Sequence, residues 1–184
     1  MPARYRTIAS WVRENAWTSG AELGVADGTT LEFLMRTCPE LKMLGVDVWN
    51  ERAARPGKTF SNEKCRCKFC AATKESRRRL TMEQREQRAR GIAEKYGRAK
   101  LLKVTTNQAS RTVSDGAFDF VFIDADHSFE GVSGDIADWM KKVRPGGRLI
   151  GHDFNMESVR SAVYGQFSGE QVNEEDDHLW WVQL

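Results

Sequence analysis

Five short stretches of this chain carry residues whose type and spacing could do chemistry. In "AELGVADG", Glu22 stands two residues before Gly24, and Gly28 follows four later. Two glycines between an apolar run and a helix mark backbone that must turn tightly or let another group come close. The candidates are a nucleotide-like ligand and a bare turn. Asp47 ends the next apolar run, at about the twenty-residue interval at which a second-strand carboxylate reaches ribose hydroxyls. A carboxylate can accept two hydrogen bonds from a vicinal diol. "FIDADH" brings Asp124, Asp126 and His127 together, and "IGHDF" brings His152 and Asp153. A histidine there could take a proton from a hydroxyl near neutral pH, or could instead cap a helix or bond its own loop. "CRCKFC" supplies Cys65, Cys67 and Cys70, three thiols that make a partial site for tetrahedral Zn²⁺, with the fourth ligand left to Cys38, a distant residue or a second subunit.

The elements that must position these groups alternate between strand and helix. A first strand runs near Ser19 to Val25, and Thr29 or Thr30 caps a helix with Leu31, Phe33, Leu34 and Met35 as its apolar residues. "LKMLGVDVW" is the second strand, "KLLKVTT" the third and "FDFVFIDA" the fourth, with a short helix from about Ala109 between the last two. The helix "EGVSGDIADWMKKV" places Val132, Ile136, Trp139, Met140 and Val143 at helical spacing and is ended by Pro145-Gly146-Gly147. "RLIGHDF" is a fifth strand, "MESVRSAVYGQF" a helix, and "EQVNEEDDHLWWVQL" a closing antiparallel hairpin. An amphipathic helix with Ile8, Trp11 and Val12 on one side precedes them all.

This order predicts an α/β fold: a Rossmann-like, doubly wound, mainly parallel sheet with an antiparallel C-terminal hairpin. The 184 residues are the length of a single domain, 1–184, interrupted at about 51–97 by a basic, cysteine-containing insertion. From Glu51 to Lys100 the chain holds 16 Lys and Arg against 6 Asp and Glu, and the remainder holds 12 against 20. The charge block alone is read as the solvated face of the insertion, with an anionic partner as the alternative. No run is long enough to span a bilayer and no signal peptide is seen, so a cytoplasmic protein with reduced thiols is expected.

In open α/β sheets ligands sit beyond the carboxyl ends of the strands, where all these polar residues collect. The glycine stretch departs from the dinucleotide fingerprint because "GVADG" lacks the middle glycine that lets a pyrophosphate approach, and Glu22 would place a negative charge beside that phosphate. A cationic adenosyl ligand suits the pattern better.

Together, Glu22-Leu23-Gly24-Val25-Ala26-Asp27-Gly28, Asp47, "FIDADHSFEG" and "GGRLIGHDF" resemble the class I S-adenosylmethionine-dependent methyltransferases, in the branch related to catechol and caffeoyl-CoA O-methyltransferases. The resemblance covers nearly the whole chain apart from residues 52–96. It implies that Gly24 and Gly28 bring the backbone against the donor, that Glu22 supports the methionine ammonium, that Asp47 binds the ribose, and that Gln108 and Ala109 lie where the adenine is contacted. It also implies that Asp124 and Asp153 match two aspartates that bind a divalent cation in the relatives, Mg²⁺ by its preference for oxygen ligands. Phe154 stands where the relatives carry an asparagine ligand, with Asn155 one further on. His127 occupies the place of the relatives' catalytic lysine.

The expected activity is methyl transfer to oxygen of a small-molecule or sugar-containing acceptor, catalysed by His127, Asp124 and His152 or by a metal, with the basic insertion favouring an anionic acceptor. A homo-oligomer would offer a route to the fourth zinc ligand. The alternatives are a nucleic-acid-directed methyltransferase and a non-catalytic cofactor-binding or zinc-stabilised module. Against the nucleic-acid reading, "DADH" replaces the D/N-P-P-Y/F tetrad of base-amine methylation, and Phe60, Phe69 and Tyr96 are few aromatic platforms.

Overall fold

The structure, a computed structural model, describes residues 3–50 and 80–184. Cys65, Cys67 and Cys70, with most of the basic segment, lie outside the described residues. Seven strands form one sheet in the order β3-β2-β1-β4-β5-β7-β6: β1 Ser19–Leu23, β2 Lys42–Asp47, β3 Ala99–Lys103, β4 Phe118–Ile123, β5 Val143–Gly151, β6 Asn173–Glu175 and β7 Leu179–Gln183. The first five are parallel, and β7 runs antiparallel between β5 and β6. The doubly wound sheet and its closing hairpin are therefore as the sequence predicts.

Helices cover both faces, which is why the central strands are apolar on both sides. Along β4, Phe120 and Phe122 enter one core layer and Val121 and Ile123 the other. The first layer is roofed by α1 (Ala3–Glu14), α2 (Thr29–Thr37) and α3 (Met82–Tyr96), which contribute Ile8, Leu31, Leu34 and Ile92. The second is roofed by α4 (Thr106–Ser110), α5 (Phe129–Trp139) and α6 (Glu157–Tyr164), which contribute Ala109, Ile136, Trp139, Val159 and Val163.

Three sequence expectations are corrected here. The N-cap of α2 is Gly28 at φ +77°, not Thr29 or Thr30. The chain must turn left-handed there, and Asp27 takes over the polar role, its carboxylate accepting from the Thr29 hydroxyl at 2.7 Å. The helix α4 starts at Thr106 rather than near Ala109, because Thr105 and Gln108 close a reciprocal capping box. Lastly, Pro145-Gly146-Gly147 does not end a helix: α5 stops at Trp139, a single 3₁₀ turn follows, and Val143 opens β5. Gly147 is needed inside that strand, since a Cβ there would stand 2.4 Å from the Asp119 carbonyl oxygen, where the β4–β5 register shifts.

Asp119, at the opposite edge of the sheet from the polar cluster, holds three strands together. It accepts from the backbone N–H groups of Thr18 and Ser19 at 2.8 Å each, from the Ser19 hydroxyl at 3.0 Å and from Arg144 Nε at 2.6 Å. Burial pulls its carboxyl up, but Arg144, Ser19 and Thr18 outweigh that and hold it below the usual carboxylate range. Asp119→Ala takes the acceptor from the partly buried Thr18 and Ser19 N–H groups and from Arg144 Nε, so chemical denaturation is expected to show a loss of about 1–3 kcal/mol.

Candidate active site

The glycine loop after β1 is built from three sides. Gly24, at φ +89°, donates to the Val46 carbonyl at 2.8 Å, and the Asp124 N–H donates to Leu23 at 2.8 Å, so the ends of β1, β2 and β4 meet. Asp47 Oδ2 accepts from the Ala26 N–H at 2.8 Å and Oδ1 from the Trp49 N–H at 2.7 Å. Each oxygen keeps a second lone pair, which is what a ribose diol requires. Burial raises the Asp47 carboxyl, and its backbone donors with the Arg85 charge only partly offset it. The Trp49 indole donates to the Ala26 carbonyl at 2.7 Å, closing the loop from above.

Glu22 lies beneath this loop and is 1 % exposed. Its position on β1 turns it to the α2 side, where Thr30 bonds it, and its Oε2 has no partner. Burial, reinforced by the nearby Asp124 carboxylate, raises its pKa well above the usual glutamate value. A buried carboxyl with an orphaned oxygen is costly unless a cation or donor completes it.

Asp124, His127, His152 and Asp153 converge at the ends of β4 and β5. His127 Nε2 stands 3.1 Å from Asp153 Oδ2 and 3.5 Å from Asp124 Oδ1, yet this buried nitrogen makes no aligned hydrogen bond. His152 Nδ1 is 3.2 Å from Asp153 Oδ1 and 3.6 Å from Asp124 Oδ1. Burial pulls Asp124 up, but the two histidines bring it to about 2. Conversely, burial pulls both histidines down and the carboxylates more than reverse it, raising His127 and taking His152 to about 9. Asp153 is lowered: burial opposes the shift and His152 and His127 drive it.

The alternative of His127 as the cap of the next helix fails, because Ser128 takes that place, accepting from the Gly131 N–H at 3.1 Å. Asp126 is the loop residue: it accepts from the Ser128 N–H at 3.0 Å and hydroxyl at 2.9 Å. The Ser158 hydroxyl donates to the His127 carbonyl at 2.6 Å and ties the loop to the start of α6. Gln108 is exposed and its side chain is engaged in the α4 cap, whereas Ala109 is wholly buried in the second core layer.

Three ligand atoms, from Asp124, His152 and Asp153, lie within 4.8 Å of one another, close enough to share a metal ion. Two carboxylates suit a hard cation. Phe154 is buried against Tyr164 while Asn155 is exposed, so neither supplies the asparagine ligand that the resemblance implies.

Sequence reasoning missed Arg4. From α1 its guanidinium reaches over the site, with Nη1 3.3 Å from His152 Nε2 and 3.2 Å from Asp177 Oδ2. Donation to Nε2 fits the ring with its proton on Nδ1, facing the carboxylates. Ligation of a metal through Nδ1, or full protonation, requires Arg4 to turn to Asp177 alone. The strained backbone was also invisible: Ala26, Trp49, Asp153, Asp177 and His178 all have positive φ and lie in the loops around these groups.

A family model described as a methyltransferase domain matches residues 21–154. A search of curated proteins finds no match. Among solved structures, a proposed caffeoyl-CoA O-methyltransferase from Staphylococcus aureus aligns with TM-score 0.68 at 13% identity, over 100% of this chain and 84% of that one. A Podospora anserina methyltransferase bound to S-adenosylhomocysteine (SAH) aligns with TM-score 0.65 at 11% identity, over 98% and 77%. A Bacillus cereus O-methyltransferase in complex with SAH aligns with TM-score 0.64 at 15% identity, over 100% and 82%.

Proposed function

This chain belongs to the methyltransferase-domain family, and from that premise we propose that it transfers a methyl group from S-adenosylmethionine to an oxygen of a small-molecule acceptor, anionic or sugar-containing. The observation that carries the donor is Glu22, a buried carboxyl with an orphaned oxygen under the glycine loop. The methionine ammonium supplies the missing positive partner, and a pyrophosphate would aggravate the deficit. Asp47, held by two backbone N–H groups, receives the ribose hydroxyls. The charge of residues 51–100 supports an anionic acceptor.

The reaction needs chiefly alignment, because the sulfonium is already activated. An acceptor oxygen lone pair attacks the methyl carbon from the side opposite sulfur. The C–S bond breaks with its electron pair going to sulfur, which leaves S-adenosylhomocysteine, and the hydroxyl proton passes to His127 Nε2. That nitrogen is buried between the Asp124 and Asp153 carboxylates, 3.5 Å and 3.1 Å away. Asp124 and Asp153 stabilise the imidazolium that forms.

A divalent cation also fits the cluster, held by Asp124 and Asp153, with His152 as third ligand once Arg4 swings aside. When bound, such an ion would lower the pKa of an acceptor hydroxyl. Zinc at Cys65, Cys67 and Cys70 rests on ligand spacing alone. Cytoplasmic residence belongs to the same proposal, since the close thiols would stay reduced there; no described helix is long and apolar enough to cross a membrane.

Calorimetry with S-adenosylmethionine and S-adenosylhomocysteine tests the reading. Binding of either is expected, weakened about tenfold to a hundredfold in Asp47→Ala, since charged hydrogen bonds are worth about 1.5–3 kcal/mol. No heat from either compound with the unmodified protein sinks the proposal.

A further inference from the structure

Among the described residues, α3 follows β2 and lies directly on the glycine loop. Where Gly28 would carry a Cβ, that atom would stand 2.9 Å from Ile92 Cδ1 and 3.1 Å from Ala89 Cα, so the helix is seated in the turn itself. One turn of α3 also aims its charges at the same place. Arg85 is close enough to Asp47 for its charge to pull the carboxyl down. Arg88 Nη1 donates to the Asp27 carbonyl at 2.8 Å and the Thr29 hydroxyl at 3.2 Å, and it pairs with Asp27 Oδ2 at 2.8 Å. Its Nη2 pairs with Glu32 Oε2 at 3.1 Å on the first turn of α2.

We propose that Arg88 is a positioning residue for the methyl donor: from α3 it holds the Ala26–Thr29 turn in the shape that receives the donor, without touching the donor itself. This inference rests on the donor-binding reading above. A single surface ion pair contributes little, and Arg88 is 39 % exposed, so the two carboxylates alone would not carry the idea. The bond to the Asp27 carbonyl does, because it fixes backbone, and the bond to the Thr29 hydroxyl ties the first residue of α2 to the same guanidinium. Trp49 and Asp47 grip the other side of the turn through Ala26, and neither reaches Asp27 or Thr29 in the hydrogen bonds of the described residues. Without Arg88 the turn samples more conformations before the donor arrives, and the ordering cost moves into binding. A planar fork serves this geometry, and a point charge does not.

The test measures donor affinity and turnover in Arg88→Met and Arg88→Lys, with Arg160→Met as a control that breaks an exposed pair with Glu157 on α6. Arg88→Met is expected to raise both the Kd and the KM for S-adenosylmethionine about three- to tenfold, with kcat at saturating donor unchanged, because the bound donor itself orders the turn. Arg88→Lys should recover only part of the loss, and Arg160→Met should bind normally. Equal affinity in wild type and Arg88→Met overturns the inference, even if the melting temperature falls, since that pattern belongs to a structural role. A fall in kcat with unchanged KM overturns it too. If the unmodified protein fails to bind the donor, the functional reading falls first and this inference with it.

Discussion

His127→Ala will lower kcat for methyl transfer by about two to four orders of magnitude and leave the Kd for S-adenosylmethionine within about twofold of wild type, the range expected on removing a positioned general base. The two readouts divide because the site is divided. On the proposed reading the donor is held by Glu22, Asp47 and the glycine loop at the ends of β1 and β2, whereas His127 sits at the end of β4 between two carboxylates. Single-turnover transfer to an acceptor found by screening gives the first quantity and calorimetry the second. Retention of more than about a tenth of the rate would remove His127 as the proton acceptor.

The pH profile follows from the same geometry. His127 must be neutral to accept a proton, and its pKa is raised: burial opposes the shift, and the nearby Asp124 and Asp153 carboxylates drive it. The rate should therefore climb with pH and level off only above the ordinary histidine value of about 6.5. Stability of the metal-free protein moves the other way. His152 is raised to about 9, so its contribution is complete below about pH 6.5 and disappears as pH rises through about 9. Asp124, lowered to about 2, contributes above about pH 3.8 and is lost as pH falls through about 2. Denaturant midpoints in chelator at pH 6 and pH 9.5 should show the decline on the alkaline side while turnover rises.

Much of this site was legible because a doubly wound sheet sends its functional residues to one edge. Asp47, Asp124 and Asp153 each stand at the end of an apolar run, so position alone singled them out as candidates, whereas Glu22, inside β1, was singled out by the glycine motif that follows it. Arg4 escaped because its partners His152 and Asp177 are 148 and 173 residues away in sequence, and its own surroundings read only as a helix with an apolar stripe. The Thr105–Gln108 box was in the sequence as T-x-x-Q and was passed over for the apolar Ala109. Pro145-Gly146-Gly147 carries the composition of a helix stop, yet a tertiary approach, Gly147 against the Asp119 carbonyl, decides its use. Contacts between distant backbones leave no local signature.

Gly24→Ala is expected to abolish measurable donor binding and to cost about 3–5 kcal/mol of stability. A Cβ at this position would stand 2.1 Å from the Asp124 carbonyl oxygen and 2.8 Å from Ala125 Cα. Both are backbone, so no side chain can rotate to make room, and the residue's φ of +89° is one that alanine adopts only with strain. The obstruction is at the seam where β1 and β4 deliver the glycine loop and Asp124, so relief by separation displaces both at once. Gly91→Ala is the control: it lies on the exposed face of α3 with nothing within 4 Å of the added methyl, and it should stabilise by about 0.5–1 kcal/mol through helix propensity alone. Melting temperature and calorimetry on the pair separate the effects of the two added methyls. If Gly24→Ala melts with wild type and still binds the donor, the glycine is there for the ligand's approach and not for the chain's own packing, and the account of how this loop is built would have to be reversed.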